Sequence, residues 1–511
     1  MKKSAAVYLI GAGPGDRGLI TIRGKDLLQA ADVIVYDYLV NPGLLEYAKD
    51  GADIIYVGKK AGQKEMSQGA INSLLVRNAK KGKTVARLKG GDPLTFGRGG
   101  EEAEALSKNG VHFEVVPGVS SVSAVPAYAG ISLTHRDFTS SFAVVTGHED
   151  PSKERSVIPW SALSQIGTVV FLMGVKKLKQ NMAELIKAGK RKHTPAAVIT
   201  WGTYPHQKTL IGTIETIGGL VKNNKEITSP GIVVVGEVVE LRKIINWYEA
   251  KPLFGKTIVV TRPRSQASEF IELLENQGAR VIAFPTIEIT PPGSFKALDN
   301  SIQNVEQYDW IIFTSVNGVK SFFDRLKLLG KDIRTLHKAK IAAIGEVTAL
   351  EIQKKDINVD LIPEDYKAEG LIKVLKQHNI KDTRILIPRA KVARDILPET
   401  LKKFGANVDV VTAYITKHPG VTKTRAIKKL IDDDAVDVIS FTSSSTARNF
   451  FDLLPDFKQK KKMPLIASIG PVTSKVVKEH GFRADIIPKK YTVADLLDEI
   501  VGYYSKKNLK K

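Results

Sequence analysis

Short apolar runs stop at glycine, proline or a charged residue and give way to stretches of helical period, so strands and helices alternate along the whole chain. Ala6 to Gly18 is a strand running into a glycine turn, and Leu19 to Ala30 follows with helical spacing. Further strands are predicted at Asp32 to Tyr36, ending at Asp37, and at Asp53 to Val57, ending at Gly58-Lys59-Lys60. Ser67 to Lys81 reads as an amphipathic helix. It leads into RLKGGDPLTFGRGGEE (Arg87 to Glu102), where a strand passes through a glycine-rich turn to an acidic helix start. Phe113 to Val116 is a strand, and Pro117-Gly118 is a hinge between two lobes. Strands then fall at Phe142 to Thr146, Thr168 to Met173, Ala196 to Thr200 and Gly231 to Val235. The run Gly231 to Glu240 reads as one buried strand closing this half, and Leu241 to Pro252 as the connection to something new.

From Thr257 the chain repeats itself. TIVVTRPRSQ at Thr257 parallels RILIPRAKVA at Arg384, FTSVNGVKSFF at Phe313 parallels FTSSSTARNFF at Phe441, and IAAIGEVTALEI at Ile341 parallels IASIGPVTSKVV at Ile466. The offsets 384 − 257 = 127, 441 − 313 = 128 and 466 − 341 = 125 are far too long for a solenoid and imply two similar α/β lobes. The order of the copies predicts interdigitation, with residues 257–285 and 435–503 as lobe A and 308–412 as lobe B. Two extended crossovers, Phe284 to Thr290 and Val410 to Thr416, would pair between them. The first half divides at the hinge into 1–117 and 118–246, and the second spans 255–505.

Composition narrows the chemistry. The 511 residues hold no cysteine, which removes disulfides, thiolate metal sites and a cysteine nucleophile; the nine histidines have no metal-ligand spacing, so no metal is implied. No apolar run reaches the length of a membrane span and no signal segment is present, so a cytoplasmic protein is expected, with no membrane partner. The net charge of +22 admits nucleic acid, an anionic membrane or a polyanionic small molecule. The basic runs are local and lack interleaved aromatics, so a nucleic-acid-binding α/β protein is the weaker alternative.

In open α/β sheets ligands collect beyond the strand C-termini, which nominates Asp37, Lys59 and the Arg87 to Glu102 loop. A dinucleotide fingerprint fails, because Gly11, Gly13 and Gly15 are too closely spaced and position 16 is Asp. Arg87, Lys89 and Arg98 surround the bare glycine backbone with positive charge. His135 and Arg136 lie in the loop LTHRD.

Through GAGPGD, YDYLV, VGKKAG, RLKGGDPLTFGRGGEE, VPGVSS, YAGISLTHRD and VTGH, residues 5–245 resemble the uroporphyrinogen-III C-methyltransferase family. Residues 255–505 are similar to uroporphyrinogen-III synthases, on the TRP start, the paired FTS elements, the AIG turns and the Tyr of VTAYIT. These resemblances imply a tetrapyrrole-methylase fold of two α/β lobes, followed by a synthase of two similar interdigitated α/β lobes. They imply that hydroxymethylbilane is cyclised to uroporphyrinogen III, which S-adenosyl-L-methionine then methylates twice. A methyltransferase for another precorrin, fused to a synthase, is the alternative of the same class.

The resemblance places the cofactor pocket at Pro14, Gly90, Gly91, Asp92, Thr95, Ser120, Ser121, Met173 and Gly202, with Thr95 and Ser120-Ser121 conservative departures from the family pattern. It nominates Asp37 as proton acceptor and Lys59 as donor, and implies a homodimer through the first half. Arg87, Lys89, Arg98, His135 and Arg136 are candidates for the substrate's carboxylates, since arginine suits bidentate binding. In the second half Tyr414 would assist loss of the bilane hydroxyl. Backbone N–H groups around Ser315, Gly345, Thr442, Ser443 and Gly470, at helix starts, would bind carboxylates.

Overall fold

The computed structural model describes residues 6–58, 66–148, 157–262, 264–365, 368–459 and 463–508. The chain divides into two compact units: one runs to Ile258 and takes in Glu272–Val281 and the chain from Leu497, and the other holds Val259–Ile271 and Ile282–Leu496. Among the described residues no helix is long and apolar enough to cross a membrane.

In the first unit, β1 (Val7–Gly11), β2 (Val33–Tyr36), β3 (Asp53–Tyr56), β4 (Val85–Lys89) and β5 (Phe113–Val116) form a parallel sheet ordered β3-β2-β4-β1-β5. All five C-termini therefore lie on one edge. Every residue of β4 is buried, as expected of a central strand covered on both faces. Thr21 and Ser67 cap helices Ile22–Ala30 and Gln68–Lys80 by accepting from Gly24 N and Ala70 N. The first helix thus starts later than its apolar spacing suggests, because Arg17–Leu19 forms a separate 3-10 turn.

A second sheet contains β6 (Phe142–Thr146), β7 (Thr168–Leu172), β8 (Pro195–Thr200), β9 (Lys208–Thr213) and β10 (Gly231–Val235), ordered β6-β7-β10-β8-β9. Only β6 and β7 run parallel. The single strand expected over Gly231 to Glu240 stops at Val235: Gly236 turns the backbone at φ 149°, and Glu237–Leu241 becomes a 3-10 turn. The edge strand β9 carries too little apolar alternation to be recognised from sequence.

From Thr257 the described residues form β11 (Thr257–Val260), β12 (Arg280–Ala283), β13 (Glu288–Thr290), β14 (Trp310–Phe313), β15 (Lys340–Ala343), β16 (Arg384–Ala390), β17 (Asn407–Lys417), β18 (Val438–Phe441) and β19 (Leu465–Ser468). They make two sheets, ordered β12-β11-β18-β19 and β13-β17-β16-β14-β15. The first sheet combines the start and end of this segment around the middle one, so the lobes interdigitate. The crossovers pair, with Glu288 opposite Lys417 and Thr290 opposite Ile415 in antiparallel register.

The repeat persists in hydrogen bonds. Ile341 N donates to Asp360 Oδ2 at 2.7 Å, and Ile466 N donates to Asp485 Oδ2 at 2.8 Å. Ser315 caps helix Val316–Leu328 and Ser443 caps helix Ser444–Leu453. Phe313 and Phe322 are fully buried in one core, and Phe441 and Phe450 in the other. Phe450 packs edge-on against Phe441, Phe451, Phe457 and Phe284 at ring-centroid distances of 5.3 to 6.1 Å. Phe450→Ala is therefore expected to cost about 3–5 kcal/mol, read as an earlier urea unfolding transition.

Candidate active sites

Three loops leave the C-terminal edge of the first sheet and meet backbone to backbone. A Cβ on Gly11 would lie 2.4 Å from Gly118 Cα, and one on Gly118 would lie 2.4 Å from Gly91 O. Gly13 and Gly91 exchange hydrogen bonds, at 3.2 Å from Gly13 N to Gly91 O and 2.7 Å in return. Both have positive φ, 73° and 70°. A Cβ on Gly91 would find only Ser121 N, at 3.8 Å, so the backbone is bare on that side, facing the start of helix Ser121–Tyr128, which Ser120 caps.

Asp92 ties this loop together. Its Oδ1 accepts from Leu94 N, Thr95 N and Thr95 Oγ1 at 2.9 to 3.0 Å, and its Oδ2 accepts from Gly118 N at 3.1 Å. Burial raises its pKa, but the Gly118, Thr95 and Leu94 donors outweigh that and hold the carboxyl below its ordinary value.

Arg87 and Lys89 are placed differently from the charged rim expected of them. They point into the sheet, 3% and 4% exposed, and meet on the fully buried Glu102. Arg87 Nε and Lys89 Nζ donate to Glu102 Oε1 at 3.1 and 3.0 Å, and Gln68 Nε2 donates to the same atom at 3.2 Å. Arg87 also donates to Asp37 Oδ2 at 3.2 Å, so two cations face two carboxylates. Burial first, then the charge of Arg87, lowers the pKa of Lys89 against the pull of Glu102. Glu102, which the sequence did not single out, is the hub, and its Oε2 is buried with no hydrogen-bond partner.

Asp37 follows β2 at the ligand edge, with Oδ1 accepting from Leu39 N at 3.2 Å. Lys59 lies outside the described residues. Arg98 is exposed at the start of helix Gly99–Lys108 and is held by Glu101 at 2.7 and 2.8 Å. His135 and Arg136 sit in a loop before β6, where His135 Nδ1 accepts from Asp137 N at 3.2 Å; among the described residues no side-chain hydrogen bond joins them to the glycine loops.

The second sheet contributes Met173 after β7 and Gly202 after β8, and here the backbone is strained. Met173, Trp201 and Thr203 have φ of 57°, 50° and 67°, joined by Phe96 at 55° and Arg98 at 58° on the β4 loop. Such conformations in non-glycine residues gather at functional sites, and these all follow strand C-termini. Gly202 packs against Val125, where a Cβ would come within 2.3 Å.

The first glycine loop is bound to this region: Asp16 N donates to Thr203 Oγ1 at 2.9 Å, and Tyr128 Oη donates to Asp16 Oδ2 at 2.7 Å. Tyr38, Trp201, Tyr204 and His206 form an aromatic cluster in which burial, then the charges of Arg280 and Lys208, lowers the pKa of His206 to about 4. Periodicity carried no signal for these contacts, since they depend on which loops the two sheets bring together.

In lobe B, Tyr414 on β17 shares a 3.0 Å hydrogen bond with Ser315 Oγ, which also accepts from Gly318 N at 3.1 Å. Gly345 precedes helix Glu346–Gln353. In lobe A, Thr442 and Ser443 precede helix Ser444–Leu453, and Gly470 precedes helix Pro471–Glu479. Ser315, Gly345, Thr442, Ser443 and Gly470 each follow the C-terminal end of a strand, whereas Tyr414 lies within β17.

Glu102→Ala would leave Arg87 and Lys89 buried without their shared carboxylate, and is expected to cost about 3–5 kcal/mol in chemical denaturation. Asp92, ionised more readily folded than unfolded, contributes stability that is complete at neutral pH and is lost as pH falls below about 4. Asp92→Asn should flatten that acid limb in a series of thermal melts.

Comparison with known proteins finds two families on the chain. Residues 6–218 match the family of tetrapyrrole (corrin/porphyrin) methylases, and residues 268–498 match uroporphyrinogen-III synthase HemD. The chain is 38% identical over 496 residues to the porphyrin biosynthesis protein HemD of Ruminiclostridium josui, covering 97% of each chain. It is 53% identical over 234 residues to the uroporphyrinogen-III C-methyltransferase of Priestia megaterium, covering 46% of this chain and 98% of that one. Among solved structures, the uroporphyrin III C-methyltransferase of Thermus thermophilus is 35% identical, covering 46% of this chain and 99% of that one, with a TM-score of 0.40. The chain belongs to the porphyrin biosynthesis family in which a uroporphyrinogen-III C-methyltransferase is joined to a uroporphyrinogen-III synthase.

Proposed function

We propose that the second half cyclises hydroxymethylbilane to uroporphyrinogen III, and that the first half methylates this product twice, through precorrin-1, to precorrin-2. The observation that carries the reading is the presence of both families on one chain, matched across nearly its full length by a single relative. The product of the second half is then the substrate of the first.

The methyl donor is S-adenosyl-L-methionine, the cofactor in the name of a relative from Methanosarcina barkeri that is 51% identical over 241 residues. The bare backbone at Gly91 fits such a group, because a side chain there would fill the space in front of Ser121. Pro14, Gly90, Gly91, Ser120, Ser121, Met173 and Gly202 would hold it, with Asp92 and Thr95 fixing the loop. Bound there, it supplies a sulfonium methyl, an electrophile for an electron-rich pyrrole carbon.

The chain's own residues manage the proton. C-methylation makes a carbon–carbon bond and releases a proton from the ring, and Asp37, fixed by Arg87 and Leu39 N, accepts it. Lys59 is the donor. Arg98, His135 and Arg136 contact the macrocycle's carboxylates, while Arg87 and Lys89 act from beneath by holding Asp37 and Glu102. In the synthase half, Tyr414 assists the departing hydroxyl, with its Oη oriented by the hydrogen bond it shares with Ser315 Oγ. The backbone donors near Ser315, Gly345, Thr442, Ser443 and Gly470 orient the bilane's acid groups.

Incubating the whole chain with hydroxymethylbilane and methyl-labelled S-adenosyl-L-methionine should yield a type III macrocycle carrying two labelled methyl groups, identified by mass and absorbance. Type I uroporphyrinogen alone would remove the synthase assignment. A type III product without label would remove the methyltransferase assignment.

A further inference from the structure

The duplicated halves of the synthase segment put two arginines in corresponding positions, since 389 − 262 = 127 matches 384 − 257 = 127. Arg262 follows β11 and Arg389 lies near the end of β16, the equivalent strand of the other lobe. Their surroundings differ. Arg389 donates through Nη1 to Arg394 O at 2.9 Å and through Nη2 to the carboxylate of Asp395, so lobe B supplies its own counterion. The residue six positions after Arg262 is Ser268, where Asp395 stands six after Arg389.

Arg262 is half-buried, and among the described residues no carboxylate pairs with it; the hydrogen bond it makes runs from Nη2 to Thr442 O at 3.5 Å. Thr442 directly precedes Ser443, the cap of helix Ser444–Leu453, and its own Oγ1 is buried with no partner. The guanidinium thus stands beside a ten-residue helix start on the ligand edge of the sheet. Burial lowers the pKa of Arg262, and no neighbouring anion acts against it. A partly desolvated cation left unpaired is unfavourable, and an outside carboxylate would relieve it with a bidentate geometry.

We propose that Arg262 binds a carboxylate of the linear tetrapyrrole substrate, in the position that Asp395 occupies for Arg389. This rests on the synthase reading above and adds to it a specific side chain in lobe A. In lobe B the corresponding arginine already has a carboxylate partner in Asp395, although its Nε is buried without a hydrogen bond, so the two copies serve different purposes.

The test uses the full chain with hydroxymethylbilane as substrate and reads KM and kcat for type III formation in the wild type, Arg262→Gln, Arg262→Lys and Ser268→Asp. Arg262→Gln should raise KM about tenfold or more, the range of a lost charge-assisted hydrogen bond, and KM should change more than kcat. Arg262→Lys should fall between it and the wild type. Ser268→Asp, which gives lobe A the counterion of lobe B while leaving Arg262 in place, should also raise KM. Circular dichroism melts report folding, and if Arg262→Gln does not fold, the exposed Ser268→Asp change decides. Unchanged KM in the folded variants beside an active wild type overturns the subsite alone, whereas a wild type that forms no type III isomer overturns the synthase reading and the subsite with it.

Discussion

The first half depends on two places where no side chain can stand. Gly11 and Gly118 let the ends of β1 and β5 touch each other and the Gly91 turn after β4 through their backbones, and a single carbon added to either would meet main-chain atoms at 2.4 Å. Main-chain atoms cannot rotate away as a side-chain tip can. The reciprocal Gly13 and Gly91 bonds and the reach of Asp92 to Gly118 N both follow from that closeness. The loop so fixed leads directly into helix Gly99–Lys108, and the helix carries Glu102 to its place under β4. A steric constraint at the surface thereby sets the position of a buried charge, which in turn holds Arg87 against Asp37.

Much of this was legible from the order of residues. The strands Phe113 to Val116 and Phe142 to Thr146, the capped helix after Ser67 and the repeat beginning at Thr257 all rest on local pattern, and local pattern is what a sequence carries best. The direction of Arg87 and Lys89 was not legible, because it depends on β4 being central and covered on both faces. A central strand buries charged residues when a partner is available, and that partner, Glu102, lies more than a dozen residues away on a helix. Likewise the glutamate pair at 101–102 looks uniform in sequence, yet Glu101 binds the exposed Arg98 while Glu102 is fully enclosed. One residue of helical rotation separates a surface pair from a buried hub.

The strained residues after β7 and β8 show the same division. Gly202 advertised its place by composition, but nothing local distinguishes Trp201 or Thr203 from ordinary loop residues. Thr203 is held by distant partners, with Asp16 N donating to its Oγ1 and Tyr248 Oη to its carbonyl, and by the nearby Gln207 Oε1, which accepts from its amide. Sequence can nominate a strand end, whereas the strain stored there belongs to the assembled unit.

The second half offers an internal control, since two copies of one design can be compared within a single chain. Positions that govern the backbone stay equivalent: Ser315 and Ser443 cap helices, and Asp360 and Asp485 accept from strand amides. Positions at the ligand edge diverge. Tyr414 has Ile287 at the corresponding place, and Asp395 has Ser268. On the proposed synthase reading this is expected, because the linear substrate carries its hydroxymethyl group at one end only and two identical lobes would present the same groups to both ends. Scaffold contacts hold each lobe in shape whatever is bound, so they can remain duplicated, while the groups that meet the substrate must differ for ring closure to have a direction.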